Sequence, residues 1–373
     1  LTMAAGSEIE TKTSDLTLSS AQQLNSGAIT STGGTLSFDG GLTLSGTGEL
    51  DVSGTTLKAS QALDLSGGTF ISNGSSVLDL QAAATLSSAD IVSFKKVNLN
   101  GKVLTLGSAA THLKLTGSNE TLNLNNLALE TAAGSLTLAG PLSLSNNGQL
   151  NSTGGTITLA SGGSATSGAT ISLPGSILVL SSPNGQNALS LSGATLKAGS
   201  TTFTTNNNAI SLNSSILEVQ GTQDLSGVIP DNTSTLRLGA NATINDSSVL
   251  SVGTLDLANF ALTLNNQMAG LNVKQAVTLD AATEQIISGN ADLSLNGGIT
   301  VSNGTLSSTG GTLSASSFSI GATGTVNIEG GTLSLPAGGT AVSGAAFTTS
   351  NAAISLEGTL TVADPWTSTN TNL

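Results

Sequence analysis

The sequence predicts an all-β chain wound as a parallel β-helix, a β-solenoid of about 18 coils of ~20 residues. Three observations predict it: short apolar-x-apolar segments bounded by turn formers, the return of whole motifs along the chain, and a composition rich in small polar residues. Leu16-Thr-Leu18, Leu42-Thr-Leu44, Leu63-Asp-Leu65, Leu136-Thr-Leu138 and Leu293-Ser-Leu295 carry the first. A period of two over three to five residues, closed by Gly, Asn, Ser or Asp, reads as a short strand with alternate side chains inward. No stretch of helical length carries an apolar face, so helices are not expected.

The second observation sets the coil length. Ser31-Thr-Gly-Gly-Thr-Leu36 returns as Ser152-Thr-Gly-Gly-Thr-Ile157 and as Ser308-Thr-Gly-Gly-Thr-Leu313, and Ser53-Gly-Thr-Thr-Leu-Lys58 returns as Ser192-Gly-Ala-Thr-Leu-Lys197. These copies lie 121, 156 and 139 residues apart, each close to a multiple of ~20. An apolar column follows the same step from Leu18 and Phe38 through Leu99, Leu115 and Leu138 to Leu335 and Leu356. One coil buries too few side chains to fold alone, whereas stacked coils share a continuous core. At about 4.8 Å per coil such a stack is a rod on the order of 90 Å long, right-handed by the crossover rule. Gly33-Gly34, Gly154-Gly155 and Gly330-Gly331, with Asn146-Asn147 and Asn206-Asn-Asn208, mark the corners. No linker interrupts the pattern, so residues 1–362 read as one solenoid domain and 363–373 as a C-terminal tail or cap.

The composition completes the case. Of 373 residues, 46 are Gly, 8% are charged and 2% aromatic, with no Cys and no Tyr. Disulfides and thiolate metal sites are therefore excluded. Nine Lys and Arg against 22 Asp and Glu give a net charge of −13, spread thinly. That balance argues against nucleic acid and against a polybasic membrane contact. No run of 18 apolar residues predicts a membrane-spanning helix. The chain opens at Leu1 with no charged-then-apolar leader, which is expected of a processed exported protein or of a fragment.

In its Leu-x-Leu segments and Ser-Thr-Gly-Gly-Thr repeats the chain, over residues 10 to 362, resembles the large bacterial β-solenoid surface proteins: autotransporter passengers and filamentous-haemagglutinin-like adhesins. The resemblance implies export to the cell surface, a stalk-like or fibrous role, and adhesion or matrix formation.

Candidate sites are few. Pectin-degrading β-helices need clustered acids, but Asp39, Asp64, Asp79, Glu120, Glu130, Glu218 and Asp224 are isolated in sequence. Glu8 with Glu10, and Glu49 with Asp51, are the nearest approach to pairs. His112 and Arg237 are the sole His and the sole Arg, and neither has a sequence neighbour that completes a triad or a metal site. Lys95, Lys96, Lys102, His112 and Lys114 gather on successive coils, as a solvated strip or a contact patch for an acidic partner or another copy. Trp366 is expected to cover the end of the core or to contact a subunit. Thr156-x-Thr158, Thr233-x-Thr235 and Thr323-x-Thr325 do not recur coil after coil, which speaks against an ice-binding array. No cofactor is expected. A single calcium ion at isolated Asp and Asn turns is the one alternative.

The expected function is a non-catalytic structural or adhesive element of a bacterial cell surface, extracellular, with other copies or surface and matrix polymers as partners. The alternatives are a self-assembling subunit of an extracellular filament or sheath and a carbohydrate-binding or polysaccharide-cleaving β-helix.

Overall fold

Alternating Leu, Ile and Val in segments three or four residues long can bury only one face of a strand, and the turns between them are too tight for a helix. The computed structural model shows the consequence: a parallel β-solenoid of about 16 turns at ~21 residues per turn, with no helix among the described residues. It describes residues 3–372 except 74, 89–90, 101, 107–111, 117–121, 126–127, 181–188, 206–208 and 266–267. Glu120 and the Asn206–Asn208 corner lie outside the described residues.

The chain divides into two compact units, residues 1–194 with 201–209, and residues 195–200 with 210–373. In the first, each turn contributes three strands, and a strand pairs with the third one after it. Glu8–Lys12 thus pairs in parallel with Ala28–Ser31, Leu16–Leu18 with Thr35–Phe38, and Gln22–Leu24 with Leu42–Leu44. The second unit keeps the same scheme: Val249–Val252 pairs with Gly270–Val273, which pairs with Asp292–Leu295. Pairing is in register, so like residues stack. Leu115, Leu138, Leu159 and Leu180 are successive Cα partners, all nearly or fully buried.

The structure refines the apolar column read from the sequence. Leu18 and Phe38 are true partners, but Phe38 pairs with Ala59 while Leu57 pairs with Leu36. Leu99 and Leu115 belong to different sheets: Leu99 follows the strand Lys96–Asn98, which pairs with Val77–Leu80, whereas Leu115 pairs with Phe94. Steps of 16 residues in the column are jumps from one face to the next. They shorten the mean step, which is why about 18 coils are counted where about 16 turns exist.

The Ser-Thr-Gly-Gly-Thr motif turns out to be a corner device. In all three copies the Ser hydroxyl donates to the carbonyl oxygen of the first glycine, at 2.8 Å in Ser31, 2.6 Å in Ser152 and 2.7 Å in Ser308. The second glycine has φ of +69°, +70° and +65°, a left-handed conformation costly for any residue with a Cβ. Within the first unit, Ser31 ends a strand of the Glu8–Lys12 sheet, while Ser152 ends a strand of the sheet that includes Ala128–Ala132. The motif therefore serves more than one corner of the turn.

These serines are buried, as are hydroxyls at the same corner in neighbouring coils. Thr55 donates to the Ser31 carbonyl (2.8 Å) and meets its hydroxyl (2.9 Å), and Ser76 donates to the Val52 carbonyl (2.7 Å). Farther along, the Ser176 hydroxyl donates to that of Ser152 (2.8 Å), and Thr201 to the Leu173 carbonyl (2.6 Å). Each of these four hydroxyls bonds to the coil before it, so a polar group kept inside is satisfied.

Beyond Val362 the chain continues to pair. Thr367–Thr369 lies parallel to Thr348–Ser350, and Asn372 bridges Ala353.

Candidate functional site

The most irregular described surface lies in the second unit. Ile216–Asp224 and Thr235–Asn245, the longest strands at nine and 11 residues, run on through a corner where the chain elsewhere breaks. Val219 pairs with Leu238 and Gly221 with Ala242, so Gly239, Ala240 and Asn241 all face Gln220. This bulge of two extra residues opens a shallow cavity of about 480 Å³, lined by Gly199, Ser200, Gln220, Gly221, Ala240, Asn241 and Phe260. Gly199 leaves room for the Gln220 side chain: a Cβ there would sit 2.5 Å from Gln220 Nε2. Asn241 Oδ1 accepts the Ala261 N–H (2.9 Å), while the Gln220 carboxamide is exposed. Amides, a hydroxyl and a half-buried aromatic ring suit a neutral, hydroxyl-rich ligand better than a charged one.

Next to the cavity stands a row of alternating charge. Lys197, Glu218, Arg237 and Asp256 are successive Cα partners on four coils. Arg237 donates to Glu218 Oε2 through Nη2 (2.5 Å) and Nε (3.1 Å), and Lys197 Nζ lies 3.3 Å from Glu218 Oε1. Burial alone would raise the Glu218 carboxyl. The hydrogen bonds from Arg237 and Lys197, with their charges, outweigh it and hold the group below its ordinary range. Arg237 and Glu218 look isolated in sequence because their partners are one turn away, 19 and 21 residues.

The aspartates are engaged in the backbone. Asp51, Asp64, Asp224, Asp231 and Asp246 each accept the N–H two residues on, the Asx-turn pattern. Asp256 does the same for Ala258. Asp15, Asp292 and Asp364 accept from Thr35, Thr312 and Gly344, one coil away. Asp231 is the most heavily bonded. Burial would raise its carboxyl, but hydrogen bonds from the Ser234 and Thr233 hydroxyls and the Thr233 and Ser214 N–H groups bring it down to about 2.

The basic cluster is spread over three sheets. His112 and Lys114 share the strand His112–Leu115, and Lys95 follows Ile91–Phe94, its neighbour in the same sheet. Lys96 begins the strand Lys96–Asn98 of a second sheet, and Lys102 precedes Leu104–Leu106 of a third. His112 Nε2 lies 2.8 Å from Thr137 Oγ1. Burial, and secondarily the Lys114 charge, keep its imidazole below the ordinary range. Glu8 with Glu10 and Glu49 with Asp51 face outward from one sheet, on strands separated by Ala28–Ser31. Glu130 accepts from the Asn151 carboxamide (2.6 Å), and Asp79 from those of Gln81 (2.8 Å) and Asn100 (2.7 Å). Asp39 lies 3.5 Å from the Ser60 hydroxyl. Trp366 is half-buried on Phe347 (ring centroids 5.3 Å apart), which packs on Phe318 (6.0 Å), and its indole N–H donates to Thr349 (2.9 Å).

No family model matches the chain, and comparison with curated proteins and with solved structures finds no match. The fold and its side-chain chemistry are thus the grounds for a functional reading. Among the described residues, no three of His, Asp and Glu gather as a metal-holding group. Among them, too, no helix is long and apolar enough to cross a membrane.

Proposed function

We propose that this protein is a non-catalytic, extracellular structural element of a bacterial cell surface, serving as stalk, spacer or matrix adhesin. One observation supports the reading above others: its polar residues are engaged in building the wall. Among the described residues, nine of the 12 aspartates accept a backbone N–H at a turn or from an adjoining coil. The repeated serines bond the corner they sit in. A carboxylate held by backbone donors is poorly placed to exchange protons with a substrate. The purified chain should release no reducing ends from a panel of plant and bacterial polysaccharides, and turnover of any of them overturns the proposal.

A second reading is favoured by the cavity beside Phe260: binding of neutral saccharide chains without cleavage. It predicts that Phe260→Ala and Gln220→Ala abolish retention on an immobilised glycan that the unaltered chain binds. If a glycan array shows no retention of the unaltered chain, this reading falls and the spacer role stands.

A further inference from the structure

One outward face of the first unit, made by the sheet that ends at Thr69–Ile71 and the sheet that begins at Ile91–Phe94, changes character rung by rung. On Glu8–Lys12 and Glu49–Asp51 the outward residues are Glu8, Glu10, Glu49 and Asp51; on Ala28–Ser31, between them, they are Ala28 and Thr30. Lys12 lies 3.9 Å from Glu10 and offsets one of those four charges. Thr69–Ile71 is the fourth rung and closes its sheet, and Ile91–Phe94, the first strand of the next sheet, follows it as the fifth. The Ser93 N–H donates to Ser72 Oγ (3.1 Å), and the Phe70 and Phe94 rings meet behind at 6.2 Å. Their outward isoleucines are unusually bare, Ile71 at 37% and Ile91 at 59% exposure. The fifth rung then ends at Lys95, and the sixth presents His112 and Lys114. An acidic end, an apolar middle and a basic end therefore follow one another on a single face.

This order is its own complement when reversed. We propose that the face is a docking surface for a second copy of this chain, packed antiparallel about a two-fold axis at the Ile71 rung. Rotation about that axis lays the fifth rung on the third and the sixth on the second. Lys95 then meets Glu49 and Asp51, and Lys114 falls between the two acidic rungs. Ile71 meets its own copy on the axis, Ile91 lies one rung to either side of it, and every contact away from the axis is made twice, as an isologous interface requires. Charge complementarity favours the second copy over an unrelated acidic polymer, which would find only the basic end and be repelled by the other. At about 4.8 Å per rung the six rungs span roughly 24 Å, less than a standard interface needs, so the association is of the weak, reversible class. The inference is independent of the cell-surface role proposed above.

Sedimentation equilibrium of the full chain over a range of NaCl concentrations tests it. The expected result is a reversible monomer–dimer equilibrium that weakens as salt rises. Lys95→Glu with Lys114→Glu should leave only monomer, and adding Glu49→Lys and Asp51→Lys to that variant should restore the dimer. Because the chain has no cysteine, Ile71→Cys is a separate probe that keeps the charges. Under mild oxidation it should give a disulfide-linked dimer far faster than Thr158→Cys, distant from the axis on the same face of the unit. A monomer at all concentrations, dimerisation indifferent to charge reversal, or equal cross-linking of the two cysteine variants overturns the proposal. Circular dichroism melts confirm that each variant is folded; should a charge variant unfold, the cysteine comparison decides.

Discussion

At the residue scale the chain is held by hydroxyls and carboxylates that bond to the coil before or after their own. Thr55 is buried and its hydroxyl bridges to Ser31. Thr55→Val keeps the shape but strips the Ser31 carbonyl of a donor, which should cost about 1–2 kcal/mol in denaturant unfolding. Asp231 makes a pH-dependent contribution. Its folded value of about 2 lies below the unfolded carboxylate value near 3.8, so the stabilisation is complete above about pH 4 and lost as pH falls through about 2. Asp231→Asn should flatten the thermal-stability profile between those limits while leaving the neutral-pH side of the curve parallel. At the ion row, Glu218→Gln and Arg237→Gln should show a coupling of about 0.5–1 kcal/mol in a double-mutant cycle, because the pair is only partly exposed. The Thr55–Ser31 and Glu218–Arg237 partnerships are not legible without the turn length, since each joins residues about one turn apart, whereas the Thr233 and Ser234 donors to Asp231 lie two and three residues on.

At the element scale the strands were the legible part. Leu-x-Leu spacing and the flanking turn formers locate the segments Leu16–Leu18, Leu42–Leu44 and Ser135–Leu138. The corners were less so. A Ser-Thr-Gly-Gly-Thr motif looks like a marker of one position in the repeat, yet its hydrogen bond is local and fits any corner of suitable angle. Register within a column was also hidden, because Leu36 and Phe38 are both inward and either continues an apolar series. The bulge at Gly239–Asn241 had no sequence signal beyond its small residues. Two glycines separate the causes of corner strictness. Gly34 and Gly175 have nearly the same φ, +69° and +68°. A Cβ on Gly34 would lie 2.6 Å from the Thr13 carbonyl oxygen of the preceding coil, whereas one on Gly175 meets nothing nearer than Thr153 O at 3.6 Å. Gly175→Ala should cost the backbone term alone, about 1–2 kcal/mol. Gly34→Ala should cost clearly more, as read from paired denaturation curves.

At the scale of the whole molecule, the stability of each unit is a sum over nearest-neighbour coils, so a damaged coil should weaken its neighbourhood before the rest. The low charge and the net −13 keep copies apart in general, which makes a face acidic at one end and basic at the other the natural place for a specific contact. The central claim is the in-register parallel stack, and it can be measured within the second unit. Ser251, Asn272, Ser294, Ser314 and Ser334 are successive Cα partners on one sheet. Nitroxide labels on cysteines replacing Ser251 and Ser334 are 83 residues apart in sequence but four rungs apart in space, about 19 Å. Pulsed dipolar spectroscopy should return one narrow distribution near 20 Å. A broad distribution, or one centred beyond 30 Å, contradicts the stack.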